Sequence, residues 1–133
     1  MRATVTTYDA LQHCTAITQP AGKGVAMDCA RTGKGEEPSP NSLVEAAVGG
    51  AMLLAMGEEA LEDETVDITG ARADVRIQAG RYFEAIHVTI KMPAIESAEV
   101  RKKLERAAEA IALKHSFAPD VAIYVRYDYP DDD

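Results

Sequence analysis

A thiol attacks as its thiolate, and a cation within reach favours that form. The sequence holds two cysteines, Cys14 and Cys29, and Cys29 has a guanidinium two positions later, at Arg31. Cys29 is therefore the candidate catalytic thiol. The competing reading is structural: Val25, Met27 and Cys29 alternate along one face of a strand, which would pack the sulfur in the core, where cysteine is common. Cys14 alternates with Gln12 and Ala16 as a strand-face residue. The two thiols have no Cys-x-x-Cys spacing and no histidine cluster, so neither a disulfide framework nor a metal centre is expected, and no cofactor.

The remaining reactive side chains are scattered. His13 stands isolated, and His87 falls on the polar face of its strand. His115 precedes Ser116, but adjacent residues rarely aim at one another and no third group orients the imidazole. A histidine held by the negative end of a helix is the better reading. Glu45 is the one charge between Leu43 and Met56. It is a pocket acid with a raised pKa, a partner of Arg31, or more simply a salt-bridged carboxylate near a helix start.

The elements that must position these residues can be read from alternation and from caps. Arg2 to Thr18 is rich in Thr, Val and Ile and breaks at Tyr8-Asp9-Ala10, predicting a hairpin. A loop from Gln19 to Gly24 leads to a third strand through Val25, Met27 and Cys29, and Arg31 to Pro38 is again a loop. Ser39 followed by Pro40 starts a helix, the hydroxyl accepting an orphan N–H and the proline lacking a donor that would go unused. This helix, Pro40 to about Leu61, is apolar on every side. Its Gly49 and Gly50 predict a close approach by another backbone or helix.

Asp67 to Ala79 and Tyr82 to Met92 form a long hairpin around Gly80-Arg81, with Ala71, Ala73, Val75 and Ile77 facing Ile86, Val88, Ile90 and Met92. Gly70 is expected to mark a bulge. Ser97 caps an amphipathic helix to about Lys114, and Val121, Ile123 and Val125 make the last strand before an acidic tail.

With 133 residues the chain suits one domain, 1–133. Its net charge of −8 argues against nucleic-acid and anionic-membrane partners. The N-terminus lacks the apolar core of a signal peptide and no run is long enough to span a bilayer, so a cytoplasmic location is expected. An all-round apolar helix is hard to cover in so short a chain with five Tyr, two Phe and no Trp. A partner subunit, in a homodimer, is expected to cover it.

The stretch from Gly33 to Leu43, with its Gly33-Lys34-Gly35 loop and Ser39-Pro40 start, runs into an Ala-rich apolar helix with a glycine pair. Ile86-His87-Val88, a later helix, a proline turn and a last strand follow. This order resembles the OsmC/Ohr family, the osmotically inducible and organic hydroperoxide resistance proteins, over nearly the whole chain. The resemblance implies an α+β fold with antiparallel sheets wrapped around a buried central helix, in an intertwined dimer with its pocket at the interface. It also implies a peroxide-attacking cysteine on the central helix, a resolving cysteine after the later helix, and an arginine and a glutamate that set the first thiolate.

Aligned on Pro40 and Leu43, the attacking position falls on Ala51, the resolving one near Ser116, the glutamate on Asn41 and the arginine on Arg31. The expectation is thus a stress-response protein without the two-cysteine cycle, keeping a pocket for a small apolar or anionic ligand. That pocket would be lined by Arg31, Asn41, Glu45, Gly50, Ala51, Ser116 and Phe117, with Met52 nearby. The alternative is an active organic hydroperoxide reductase, or another thiol enzyme, that uses Cys29.

Overall fold

The computed structural model describes residues 3–18, 22–29 and 31–130. The start of the hairpin at Arg2, the loop residues 19–21 and the acidic tail 131–133 lie outside the described residues. The chain forms two compact units, residues 1–44 and 45–133.

The first unit is an antiparallel sheet in the order β1 (Thr4–Ala10), β2 (His13–Thr18), β3 (Gly24–Asp28). Val5 pairs with Ile17, Cys14 with Met27 and His13 with Asp28. The hairpin turns at Leu11 and Gln12, both left-handed with φ of 53° and 65°, a conformation that matches the strand twist. The break expected at Tyr8-Asp9-Ala10 is instead an irregularity inside β1, between Tyr8 and Ala10. The Tyr8 hydroxyl accepts the Gln12 N–H at 3.2 Å, so β1 itself caps the turn that follows it. β3 stops at Asp28, and Cys29 sits in the loop beyond it rather than on a packed strand face.

Helix α1 (Pro40–Ala60) begins where the cap predicts. Ser39 Oγ accepts the Ser42 N–H at 3.1 Å and Ser39 O accepts that of Leu43 at 3.0 Å.

In the second unit the rest of α1 joins a sheet in the order β4 (Arg72–Ala79), β5 (Phe83–Lys91), β6 (Ala122–Asp128). The predicted facing is present: Ala73 lies opposite Ile90, Val75 opposite Val88 and Ile77 opposite Ile86. Val48, Met52 and Met56 of α1 and Leu104 and Ala108 of α2 (Ala98–Glu109) share one apolar core with these strands. The polar sides of β4 and β5, such as Arg72, Asp74, His87 and Lys91, are exposed. Gly49 is the glycine that lets α1 approach: a Cβ there would sit 3.1 Å from Ala73 Cβ and 3.2 Å from Val75 Cγ2. Gly50 has nothing within 4 Å of that point, so only one of the pair serves the predicted contact.

Three expectations change. β6 runs parallel to β5, because α2 carries the chain back across the sheet, so the second sheet is mixed. β4 starts at Arg72 rather than Asp67: Asp67 Oδ1 accepts the Thr69 N–H at 2.8 Å and Gly70 is left-handed at φ 90°, forming a turn. The register shift lies elsewhere, between Gln78 and Ala79. Finally, α2 ends at Glu109, where the Ala110 N–H is shared between Arg106 O and Ala107 O. The chain then packs Ile111, Leu113 and Phe117 against the core around a short 3-10 turn, Lys114–Ser116.

Among the described residues the architecture is α+β, two α-helices with two three-stranded, mostly antiparallel sheets. Among the described residues no helix is long and apolar enough to cross a membrane.

Candidate functional site

Cys29 is a free, half-buried cysteine in the loop that follows β3. Its N–H donates to Gln12 O at 3.3 Å, and its carbonyl accepts the Gly33 N–H at 2.6 Å, curling the loop back on the residue. A Cβ on Gly33 would lie 2.7 Å from that carbonyl, so the curl needs glycine. Hydrogen bonds from the Thr32 hydroxyl, then from the Thr32 and Arg31 backbone N–H groups, and the Arg31 charge stabilise the thiolate and lower the thiol pKa to about 7. The Gln12 amide donates to Thr32 Oγ1 at 2.9 Å, leaving the Thr32 proton for the sulfur. Arg31 is exposed, in the loop two residues after Cys29.

Asn41 is exposed in the first turn of α1. The Glu45 Oε2 accepts the Ile77 N–H at 2.9 Å, capping the edge strand β4. Gly50 and Ala51 are half-buried, whereas Met52 has no exposed surface and belongs to the core, so it lines no pocket. Ser116 Oγ donates to Ala112 O at 2.7 Å, and His115 Nε2 donates to Glu109 O at 3.2 Å, the last carbonyl of α2. These two residues cap backbone and do not form a nucleophile and base.

Phe117 does border a hollow. Its ring lies 6.4 Å from that of Phe83, and both line an open cavity of about 520 Å³ with Arg81, Tyr82, Asp120 and Val121. The Arg81 guanidinium sits 5.6 Å from the Tyr82 ring centre. Arg81 stands in the turn between β4 and β5, followed in sequence by the aromatics Tyr82 and Phe83.

His13 is not isolated. Across the first hairpin its Nδ1 lies 2.8 Å from Asp9 Oδ2, which also accepts the Thr15 hydroxyl at 2.7 Å. These two partners, Thr15 first, hold the Asp9 carboxyl below its ordinary value. Asp28, opposite His13 in the sheet, is buried, and its role was not legible in the alternation. Among the described residues no group of three His, Cys, Asp or Glu side chains is arranged to hold a metal ion.

No family model matches this sequence, and no curated protein does. Solved structures do match. One is a protein from Psychrobacter arcticus described as an osmotic stress induced and detoxification response protein, at 24% identity, 96% of each chain and a TM-score of 0.86. An OsmC-like protein from Mycoplasma pneumoniae aligns at 12% identity over 97% of this chain and 95% of its own, with a TM-score of 0.76. The organic hydroperoxide resistance protein OhrB of Bacillus subtilis aligns at 13% identity over 96% of this chain and 98% of its own, with a TM-score of 0.64. The chain has the fold of the OsmC and organic hydroperoxide resistance proteins.

Proposed function

We propose that this chain is a cytoplasmic, homodimeric stress-response protein of the OsmC and organic hydroperoxide resistance group that has lost the two-cysteine reductase cycle and holds a small apolar or anionic ligand. The observation that carries the reading is the pairing of that fold with Ala51 on α1 and Ser116 before β6, where the resemblance puts the two thiols. Alanine forms no sulfenic acid and serine closes no disulfide. Both cysteines of the chain lie in the first unit instead. For the dimer, the support is the outer side of α1: Leu54 is 77% exposed and Leu61, just past the helix, 84%. For the ligand, it is the hollow beside Phe117, whose aromatic walls suit an apolar body and whose Arg81 suits a carboxylate end. Arg81 there takes the part that the sequence offered to Arg31.

The test is steady-state reduction of an organic hydroperoxide with a dithiol donor. The expected rate equals that of a Cys14→Ala, Cys29→Ala double variant; cysteine-dependent turnover would overturn the reading.

A second reading has its own observation, the Cys29 thiol lowered to about 7 by its loop. The thiolate would attack the terminal peroxide oxygen, the O–O bond would break, and the alkoxide would leave and take a proton. The resulting sulfenic acid would condense with an external thiol, releasing water and forming a mixed disulfide. Loss of turnover in Cys29→Ala alone would establish this reading in place of the first.

A further inference from the structure

We propose that the ligand of the hollow beside Phe117 is a free aromatic α-amino acid, with its carboxylate on Arg81, its ammonium on Asp120 and its ring against the aromatic wall; this rests on the reading, proposed above, that the hollow holds a ligand. β5 and β6 run parallel, with Ala85 opposite Ala122, so the turns that lead into the two strands meet at one end of the sheet. Each turn carries one charge and is closed by its own backbone. The Gly80 N–H donates to Tyr82 O at 3.1 Å around Arg81, and the Val121 N–H donates to Ala118 O at 3.0 Å around Asp120. Both side chains line the same cavity of about 520 Å³.

Among the described residues neither Arg81 nor Asp120 has an ion-pair or side-chain hydrogen-bond partner, although the two carry opposite charges around one hollow. The Arg81 guanidinium keeps only its cation–π contact with the Tyr82 ring, 5.6 Å from the centre, which leaves its N–H fork without an acceptor. A ligand with a carboxylate alone would meet Arg81 but also Asp120, and the chain's net charge of −8 weakens the approach of a free anion. A ligand with an ammonium alone would leave Arg81 unmatched. A zwitterion answers both charges and approaches as a neutral molecule. In an α-amino acid the ammonium and carboxylate hang from one carbon, so together they can bridge an arginine and an aspartate that form no ion pair of their own. The wall specifies the rest of the molecule. Both phenylalanines of the chain stand here, Phe83 and Phe117, with ring centroids 6.4 Å apart and planes tilted by 48°, and Tyr82 lines the hollow with them. Rings at that spacing present edges and faces against which a third ring packs. The volume lies within the usual range of small-molecule sites.

The full-length protein would be titrated by calorimetry with phenylalanine, with 3-phenylpropionate, which lacks the ammonium, and with phenethylamine, which lacks the carboxylate. Saturable binding of phenylalanine is expected, roughly tenfold tighter than that of either analogue, which is about what one hydrogen bond to a charged group contributes. Asp120→Asn should remove the advantage of phenylalanine over 3-phenylpropionate, and Arg81→Gln its advantage over phenethylamine. Both residues are exposed on turns, so both variants are expected to fold, which circular dichroism checks; the wild-type comparison of the three ligands stands without them. Binding of 3-phenylpropionate as tight as that of phenylalanine, or an advantage that survives Asp120→Asn, overturns the amino acid while leaving a carboxylate ligand in the hollow. Phenethylamine binding as tight as phenylalanine overturns it as well. So does failure of phenylalanine, tyrosine and tryptophan alike to bind at millimolar concentration, and if 3-phenylpropionate and octanoate fail with them, the ligand reading of the hollow falls too.

Discussion

Replacing Glu45 tests whether a helix side chain secures the free edge of the second sheet. Its Oε2 accepts the Ile77 N–H at 2.9 Å, and β4 is an edge strand, so Glu45→Ala leaves a half-buried donor without a partner. Such a loss costs roughly 1–3 kcal/mol. For 133 residues an unfolding entropy of about 2.1 cal/mol/K per residue is about 0.28 kcal/mol/K, so a loss of about 2 kcal/mol lowers Tm by about 7 °C. Glu45→Gln keeps a carbonyl acceptor at the same reach and exchanges a charge-assisted bond for a neutral one, with an expected fall of about half that size. Both variants lose the charge near the start of α1, so the difference between them isolates the hydrogen bond from the helix dipole. Scanning calorimetry at one protein concentration is the assay, because a dimer's Tm depends on concentration. Alanine and glutamine variants with the same Tm, or a less stable glutamine variant, would refute the edge-capping role.

In a Cys14→Ala background, alkylation of Cys29 by iodoacetamide should reach half its maximal rate near pH 7, and Thr32→Val should move that midpoint up. Because folding lowers this pKa, the thiolate's contribution to stability is present above the ordinary thiol range and fades as pH falls through about 7; a midpoint above pH 8 would refute the assignment. Gly49→Val should cost about 1–3 kcal/mol of overpacking, read as a lower urea midpoint at unchanged slope, since a Cβ there meets Ala73 and Val75 at 3.1 and 3.2 Å; an unchanged midpoint would mean that α1 can move off the sheet. Leu54→Glu should leave the fold intact by circular dichroism and halve the mass measured by light scattering, whereas a persistent dimer would place the interface away from this face. Octanoate should raise the Tm of wild type and of Arg31→Ala but not of Arg81→Ala, and equal shifts in all three would remove the ligand from the hollow beside Phe117.

What the sequence determined by itself is what depends on near neighbours. The Ser39 cap, the start of α1 at Pro40 and the Ser97 cap of α2 are set by hydroxyls three residues from the N–H groups they accept. The facing of Ala73, Val75 and Ile77 against Ile90, Val88 and Ile86 follows from period-two alternation on either side of one turn. The absence of thiols at Ala51 and Ser116 is likewise a matter of composition in register. The tertiary structure alone decided whatever joins distant positions. Glu45 met Ile77, 32 residues on, and Cys29 came to lie in a loop that keeps its N–H on Gln12, 17 positions back, while its carbonyl takes the Gly33 N–H. Asp28 was buried by a loop whose amides reached only one of its oxygens, and β6 came to lie parallel to β5 because the two strands are joined through a helix. A side chain's alternation shows which face it takes, but its partner is chosen by chain closure over tens of residues, and that choice is made only when the whole chain packs.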